Sequence, residues 1–225
     1  MSESAGDRLV KSLERRFRTI RSRIDVAGRE VVLLHPESAE DLIDERDFER
    51  DERLPYWAEI WPSSRVLAAR LVEFDARNRT LLELGCGAGL VATAASLAGF
   101  RVTVSDYYED ALRFARANAW LNHVRSPEPM FLDWRALPED PPRFDVIVAS
   151  DVLYEREYGA LVASAIGALL EASGTAYLAD PGRVGREEFL RSLDSNGLVL
   201  RSTTEHRFAD GLVRQKITIY EIARR

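Results

Sequence analysis

The chain has 225 residues, 46% of them hydrophobic and 30% charged, and a formal net charge of −6. That length suits one substantial core, and no Pro/Gly/Ser-rich linker divides it into comparable halves. No apolar run approaches the ~20 residues that span a bilayer, and the first residues lack a secretory pattern. A single cysteine, Cys86, leaves no intrachain disulfide and suits a reducing cytosol, so a soluble cytoplasmic protein is expected. The acidic balance argues against a general nucleic-acid binder.

In chain order, residues 8–23 place Leu9, Leu13, Phe17 and Ile20 on one helical stripe ringed by basic residues, and predict an amphipathic helix docked on the domain. Residues 24–34 predict two strands around a turn at Ala27 and Gly28. The acidic stretch 37–53 reads either as a solvated helix or loop, or as an acidic lip that attracts a cationic substrate. After Pro55-Tyr-Trp-Ala-Glu-Ile-Trp-Pro, a helix is expected over 63–74, with Ser63 or Ser64 near its cap.

From there strands and helices alternate. Strands are predicted at 80–84, 101–105, 129–132, 144–150 and 174–180, and helices at 88–98, 108–121, 157–171 and 184–195. The strands near 198–206 and 212–222, joined through Gly211, read as a closing hairpin that brings an antiparallel strand to the edge. Continuous apolar strands separated by helices imply a mostly parallel α/β sheet covered on both faces, with ligands at the carboxyl ends of its strands. Residues 1–54 would form an extension packed on a domain spanning 55–225.

The most informative run is Glu83-Leu-Gly-Cys-Gly-Ala-Gly, a buried strand breaking into a glycine loop, with Asp106 ending the next strand. A glycine loop and a strand-end carboxylate one βαβ unit apart make a nucleoside-cofactor site. The spacing of Gly85, Gly87 and Gly89 is not the dinucleotide pattern, whose third glycine comes one residue later, so it points away from NAD. Asp106 could instead cap the helix that follows it. Cys86 has no histidine partner suggested by the sequence and reads as a small loop residue. His35, His123 and His206 are scattered, so no metal is expected.

With Asp133-Trp134 after the third strand and Asp145 to Asp151 around the fourth, this ordered set resembles the seven-strand, Rossmann-like S-adenosylmethionine-dependent methyltransferases. Trp57-Ala-Glu-Ile-Trp-Pro together with Ser150-Asp-Val-Leu-Tyr-Glu155 looks like the lysine methyltransferases marked by an Asp-x-x-Tyr motif. Ala179-Asp-Pro-Gly-Arg183 is similar to a run in bacterial relatives of the electron-transfer flavoprotein β-subunit lysine methyltransferase and in nicotinamide-N-methyltransferase-like proteins.

The resemblance implies a three-layer sandwich on a seven-stranded sheet with an antiparallel C-terminal strand, preceded by the N-terminal helix and hairpin. It implies S-adenosylmethionine as cofactor, S-adenosylhomocysteine as product, and a protein lysine or a small amine as acceptor. Glu83, Gly85, Cys86, Gly87 and Gly89 would hold its methionine and ribose portions, and Asp106 both ribose hydroxyls. Tyr107 would pack on adenine or serve as an ordinary half-buried aromatic. Asp133 would meet the adenine amino group with Trp134 beside the base, and Ser150 and Trp61 would complete the cofactor wall.

Asp151 would orient the acceptor amine, and Tyr154 would offer it a hydroxyl or an aromatic face. Asp151 is a positioning group rather than a strong base, because a carboxylate alone favours the ammonium form; the other reading is a loop aspartate that caps the next helix. Trp57 would line the mouth, and Arg183 would shape the substrate entrance or cap a carbonyl. The rival functions are a small-molecule N-methyltransferase and a catalytically silent cofactor- or partner-binding module.

Overall fold

The computed structural model describes residues 4–42 and 55–225. Most of the acidic stretch, residues 43–54, therefore lies outside the described residues. Helix α1 (Ala5–Arg16) starts at Ser4, whose hydroxyl accepts from the Asp7 N–H, and it ends sooner than the periodicity suggests. Strand β1 (Thr19–Val26) takes over the C-terminal part of the predicted helix and pairs antiparallel with β2 (Arg29–Pro36). The physical reason is the β-branched alternation of Ile24 and Val26, both buried, while Ile20 is 40% exposed and contributes no helical stripe. Ala27 and Gly28 both take positive φ, as a two-residue hairpin turn demands.

Helix α2 (Pro62–Leu71) is capped by Trp61 with Pro62 in its first turn, so neither Ser63 nor Ser64 is the cap; the Ser64 hydroxyl donates instead to the Trp61 carbonyl. Then follow β3 (Thr80–Leu84), α3 (Leu90–Leu97), β4 (Arg101–Asp106), α4 (Glu109–Leu121), β5 (Glu128–Phe131) and β6 (Phe144–Ser150). Helix α5 (Tyr158–Leu169), β7 (Leu170–Asp180), α6 (Arg186–Ser192), β8 (Leu198–Asp210) and β9 (Val213–Arg224) complete the chain. The predicted helices 157–171 and 184–195 are shorter than expected. β7 begins directly after Leu169, and a separate 3-10 turn covers Asp194–Asn196.

The seven strands lie in the order β5-β4-β3-β6-β7-β9-β8, parallel except that β9 runs antiparallel to both neighbours. Successive residues of β3 serve opposite layers: Leu81 packs with Leu67, Val91 and Val146 on one face, and Leu82 with Ile147, Ile166 and Phe189 on the other. The N-terminal hairpin joins the first layer through Val26, Val31 and Leu33, while α1 packs Val10 and Leu13 against Phe114 of α4. Chain order runs outward from β3 through β4 to β5 and then returns to β6 on the other side of β3. That reversal opens a crevice beyond the carboxyl ends of β3 and β6.

Candidate active site

The crevice is a cavity of about 380 Å³, and every residue assigned above to cofactor, acceptor or mouth lines it. The loop after β3 supplies one wall. Gly85, Gly87 and Gly89 all have positive φ, at 66°, 50° and 82°. Their reason is partly internal to the protein: a Cβ on Gly89 would lie 2.5 Å from Cα of Ala115, and one on Gly87 would lie 2.9 Å from the Trp57 carbonyl oxygen. Trp57 therefore acts on the loop through its backbone, while its ring stacks among Phe17, Tyr108 and Phe114.

Asp106 ends β4 with one carboxylate oxygen accepting from the Gly87 N–H and the other from the Tyr108 N–H, both at 3.0 Å. These bonds fix the carboxylate and leave each oxygen a further lone pair. The helix cap is Tyr108 rather than Asp106. Burial pushes the Asp106 carboxyl up to about 6. Glu83, 1% exposed, has an Oε2 with no partner, and burial together with the Asp106 charge pushes its carboxyl well above the ordinary range. Burial also pushes the Cys86 thiol up, which leaves a reactive thiolate disfavoured.

At the other side, Tyr107 packs against Tyr108 and Phe131 with the Arg135 guanidinium over its ring. Asp133 is engaged by its own neighbour, since Arg135 donates to it from its backbone and its guanidinium. Any adenine amino group that reaches Asp133 shares it with Arg135. Asp145 does not belong to the site. It binds Thr80 at the opposite end of the sheet, accepting from the Thr80 N–H at 2.9 Å.

The loops after β6 and β7 bring Asp151 and Arg183 together. Asp151 has φ 60°, its N–H donates to the Ala179 carbonyl, and α5 is capped at Glu157, so it caps no helix. Its Oδ1 accepts from Arg183 Nε at 2.6 Å; its Oδ2 is buried with no partner. Tyr154 stands between Tyr56 and Tyr158, at 5.2 and 5.0 Å between ring centroids. Sequence reasoning does not single out Tyr56 and Tyr158; for Tyr158 the one signal is its place four residues after Tyr154. Burial pushes the Tyr154 hydroxyl upward, so it stays protonated. Trp61 lies under the Arg183 guanidinium, and its indole N–H donates to the Tyr56 carbonyl.

A model of the family described as lysine methyltransferase matches residues 47–196. The chain belongs to that family. It is 30% identical over 138 residues to the electron transfer flavoprotein beta subunit lysine methyltransferase of Danio rerio, covering 60% of this chain and 53% of that protein. It is 31% identical to the protein-lysine methyltransferase METTL21E of Mus musculus, over 46% of this chain and 47% of that one. The chain thus spans about half the length of these relatives.

Among solved structures, magnesium protoporphyrin IX methyltransferase from Synechocystis with bound SAM superposes with a TM-score of 0.59 at 19% identity, covering 82% of this chain and 94% of that one. A TehB-like SAM-dependent methyltransferase from Corynebacterium glutamicum gives 0.56 at 18% identity, covering 80% and 94%. These likenesses establish the Rossmann-like methyltransferase fold.

The residues present fit S-adenosylmethionine. Besides the buried Glu83, five acidic side chains line the cavity, from Glu59, Asp106, Asp133, Asp151 and Glu155, against the guanidinium groups of Arg135 and Arg183. That imbalance suits a cofactor carrying a sulfonium and an ammonium group. The unpartnered Glu83 Oε2 beside the glycine loop and the Asp106 carboxylate offer polar partners to such a ligand. Among the described residues no group of three His, Cys, Asp or Glu is gathered as a metal site would need.

Proposed function

We propose that this protein is an S-adenosylmethionine-dependent methyltransferase acting on the side-chain nitrogen of a protein lysine. The observation that carries this reading is Asp151 Oδ2, buried and unpartnered at a cavity that the glycine loop and Asp106 also line. A buried carboxylate oxygen without a donor is costly unless a ligand supplies one, and an amine N–H does so. When bound, S-adenosylmethionine supplies an electrophilic methyl group. The chain's own residues then hold the cofactor with Glu83, the Gly85 to Gly89 loop, Asp106 and Ser150, and flank its base with Tyr107, Asp133 and Trp134.

Asp151 orients the amine, and Tyr56, Tyr154 and Tyr158, packed edge to face in the cavity wall, supply aromatic surface for a cationic side chain. Trp61 and Arg183 cover the mouth and exclude water. The lysine methyltransferase names of the relatives support a protein acceptor over a small amine. The single cysteine is in keeping with a reducing, cytoplasmic setting. The described residues 4–42 are read as an extension packed on the catalytic domain.

The test is incorporation of radiolabelled methyl from S-adenosylmethionine into a host lysate, with Asp151→Ala as control and macromolecules separated from metabolites. Label in a discrete protein band, on lysine, is expected with the wild type alone. Label confined to small molecules would replace the protein acceptor with a metabolite amine.

A further inference from the structure

A lone carboxylate beside an amine works against methyl transfer. It stabilises the ammonium form, which has no lone pair, so a site built only on Asp151 would trap its substrate in the unreactive state. The structure supplies a counterweight. Arg183 Nε donates to Asp151 Oδ1 at 2.6 Å, with the Asp151 side chain 2% exposed and Arg183 32% exposed. Oδ2 remains free. The carboxylate therefore keeps one acceptor for the amine while its charge is shared with a permanent cation.

The arginine is held for this role from both sides. Its backbone N–H and that of Gly182 donate to the buried carboxylate of Asp180 at 3.1 and 2.7 Å. Gly185, two residues on, donates to the Leu153 carbonyl at 2.9 Å, tying the loop to the segment that carries Asp151 and Tyr154. The guanidinium rests on the Trp61 ring, 5.1 Å from its centroid. None of these contacts uses Oδ2.

We propose that Arg183 is a positioning residue that neutralises Asp151, so that the site accepts an amine by hydrogen bond without holding it as an ammonium ion. This rests on the amine-acceptor reading above and goes beyond the assignment of Arg183 to the substrate mouth. The test uses n-butylammonium as probe, titrated calorimetrically at neutral pH into the S-adenosylhomocysteine-loaded protein.

Wild type is expected to bind it weakly, and Arg183→Gln to bind it about tenfold more tightly, the effect of unmasking one nearby opposite charge. Adding Asp151→Asn to Arg183→Gln should abolish that gain. Arg183→Lys, which keeps the charge, should bind like wild type, and S-adenosylhomocysteine affinity should be equal in all forms. Unchanged n-butylammonium affinity in Arg183→Gln, or a gain that survives Asp151→Asn, would overturn the proposal while leaving lysine methylation standing. Absence of amine binding to every form would overturn the amine site itself.

Discussion

The two ends of the cavity are built by different means. At the proposed cofactor end the glycine loop and Asp106 are backbone work: a loop of positive-φ glycines and a carboxylate clamped by two backbone N–H groups, all within 80–108. The acceptor end is side-chain work. Tyr56, Asp151, Tyr154, Tyr158 and Arg183 come from three separated stretches; Arg183 meets Asp151 because β6 and β7 are neighbours, and Tyr56 joins them from the segment before α2. A nucleoside cofactor presents the same shape to every enzyme that uses it, so a local backbone cradle suffices. An acceptor must be met, aligned and stripped of water, and that takes groups converging from several directions.

If the two ends are separable, Asp151→Ala should lower methyl transfer on the order of 10²-fold or more while leaving S-adenosylmethionine affinity unchanged, as read by labelling rates and calorimetry. Equal loss of cofactor binding would break the comparison. Asp106→Ala should weaken cofactor binding roughly tenfold to a hundredfold, the loss of hydrogen bonds to a charged group worth about 1.5–3 kcal/mol; an undiminished affinity would remove Asp106 from the site.

The pH dependence sharpens the same point, and its two signs are opposite. The folded Asp106 carboxyl sits at about 6, above the ~3.9 of an unfolded aspartate. The folded state therefore binds this proton more tightly, and the resulting stability, present in full below the unfolded value, is lost as pH rises through the folded one. Cofactor affinity should instead fall as pH drops below the Asp106 value, by about tenfold per unit for one required deprotonation. Melting curves and titrations between these limits check both, and Asp106→Asn should flatten each.

The smallest effect concerns the N-terminal segment. Phe17 meets Phe114 at 5.4 Å and Trp57 at 6.4 Å between centroids. Removing both contacts in Phe17→Ala should cost stability, at about 0.5–1.5 kcal/mol per aromatic pair, and leave cofactor affinity nearly intact. A large loss of affinity would mean that this segment sets the position of Trp57 and, through its carbonyl, of the glycine loop.

How much of this was legible depended on range. Glu83 to Gly89 and Asp106 could be read directly because a strand, a tight loop and the next strand end are local events written in consecutive residues. The periodicity predicts α1 too long because Ile20 fits a helical stripe as well as a strand, and only pairing with β2 decides between them. That Asp133 lines the cavity was legible, but its capture by Arg135 was not, since a side-chain rotamer is not encoded in spacing.

The sequence by itself determined the alternation of strands and helices, the glycine loop, the strand-end carboxylate and the family resemblance, because each rests on periodicity or on backbone demands within a few residues. Only the tertiary structure decided that Arg183 partners Asp151, that Tyr56 and Tyr158 flank Tyr154, and that Ala115 and Trp57 forbid a side chain on the loop. These contacts join residues far apart in the chain, and long-range proximity follows from strand order and packing rather than from any local pattern.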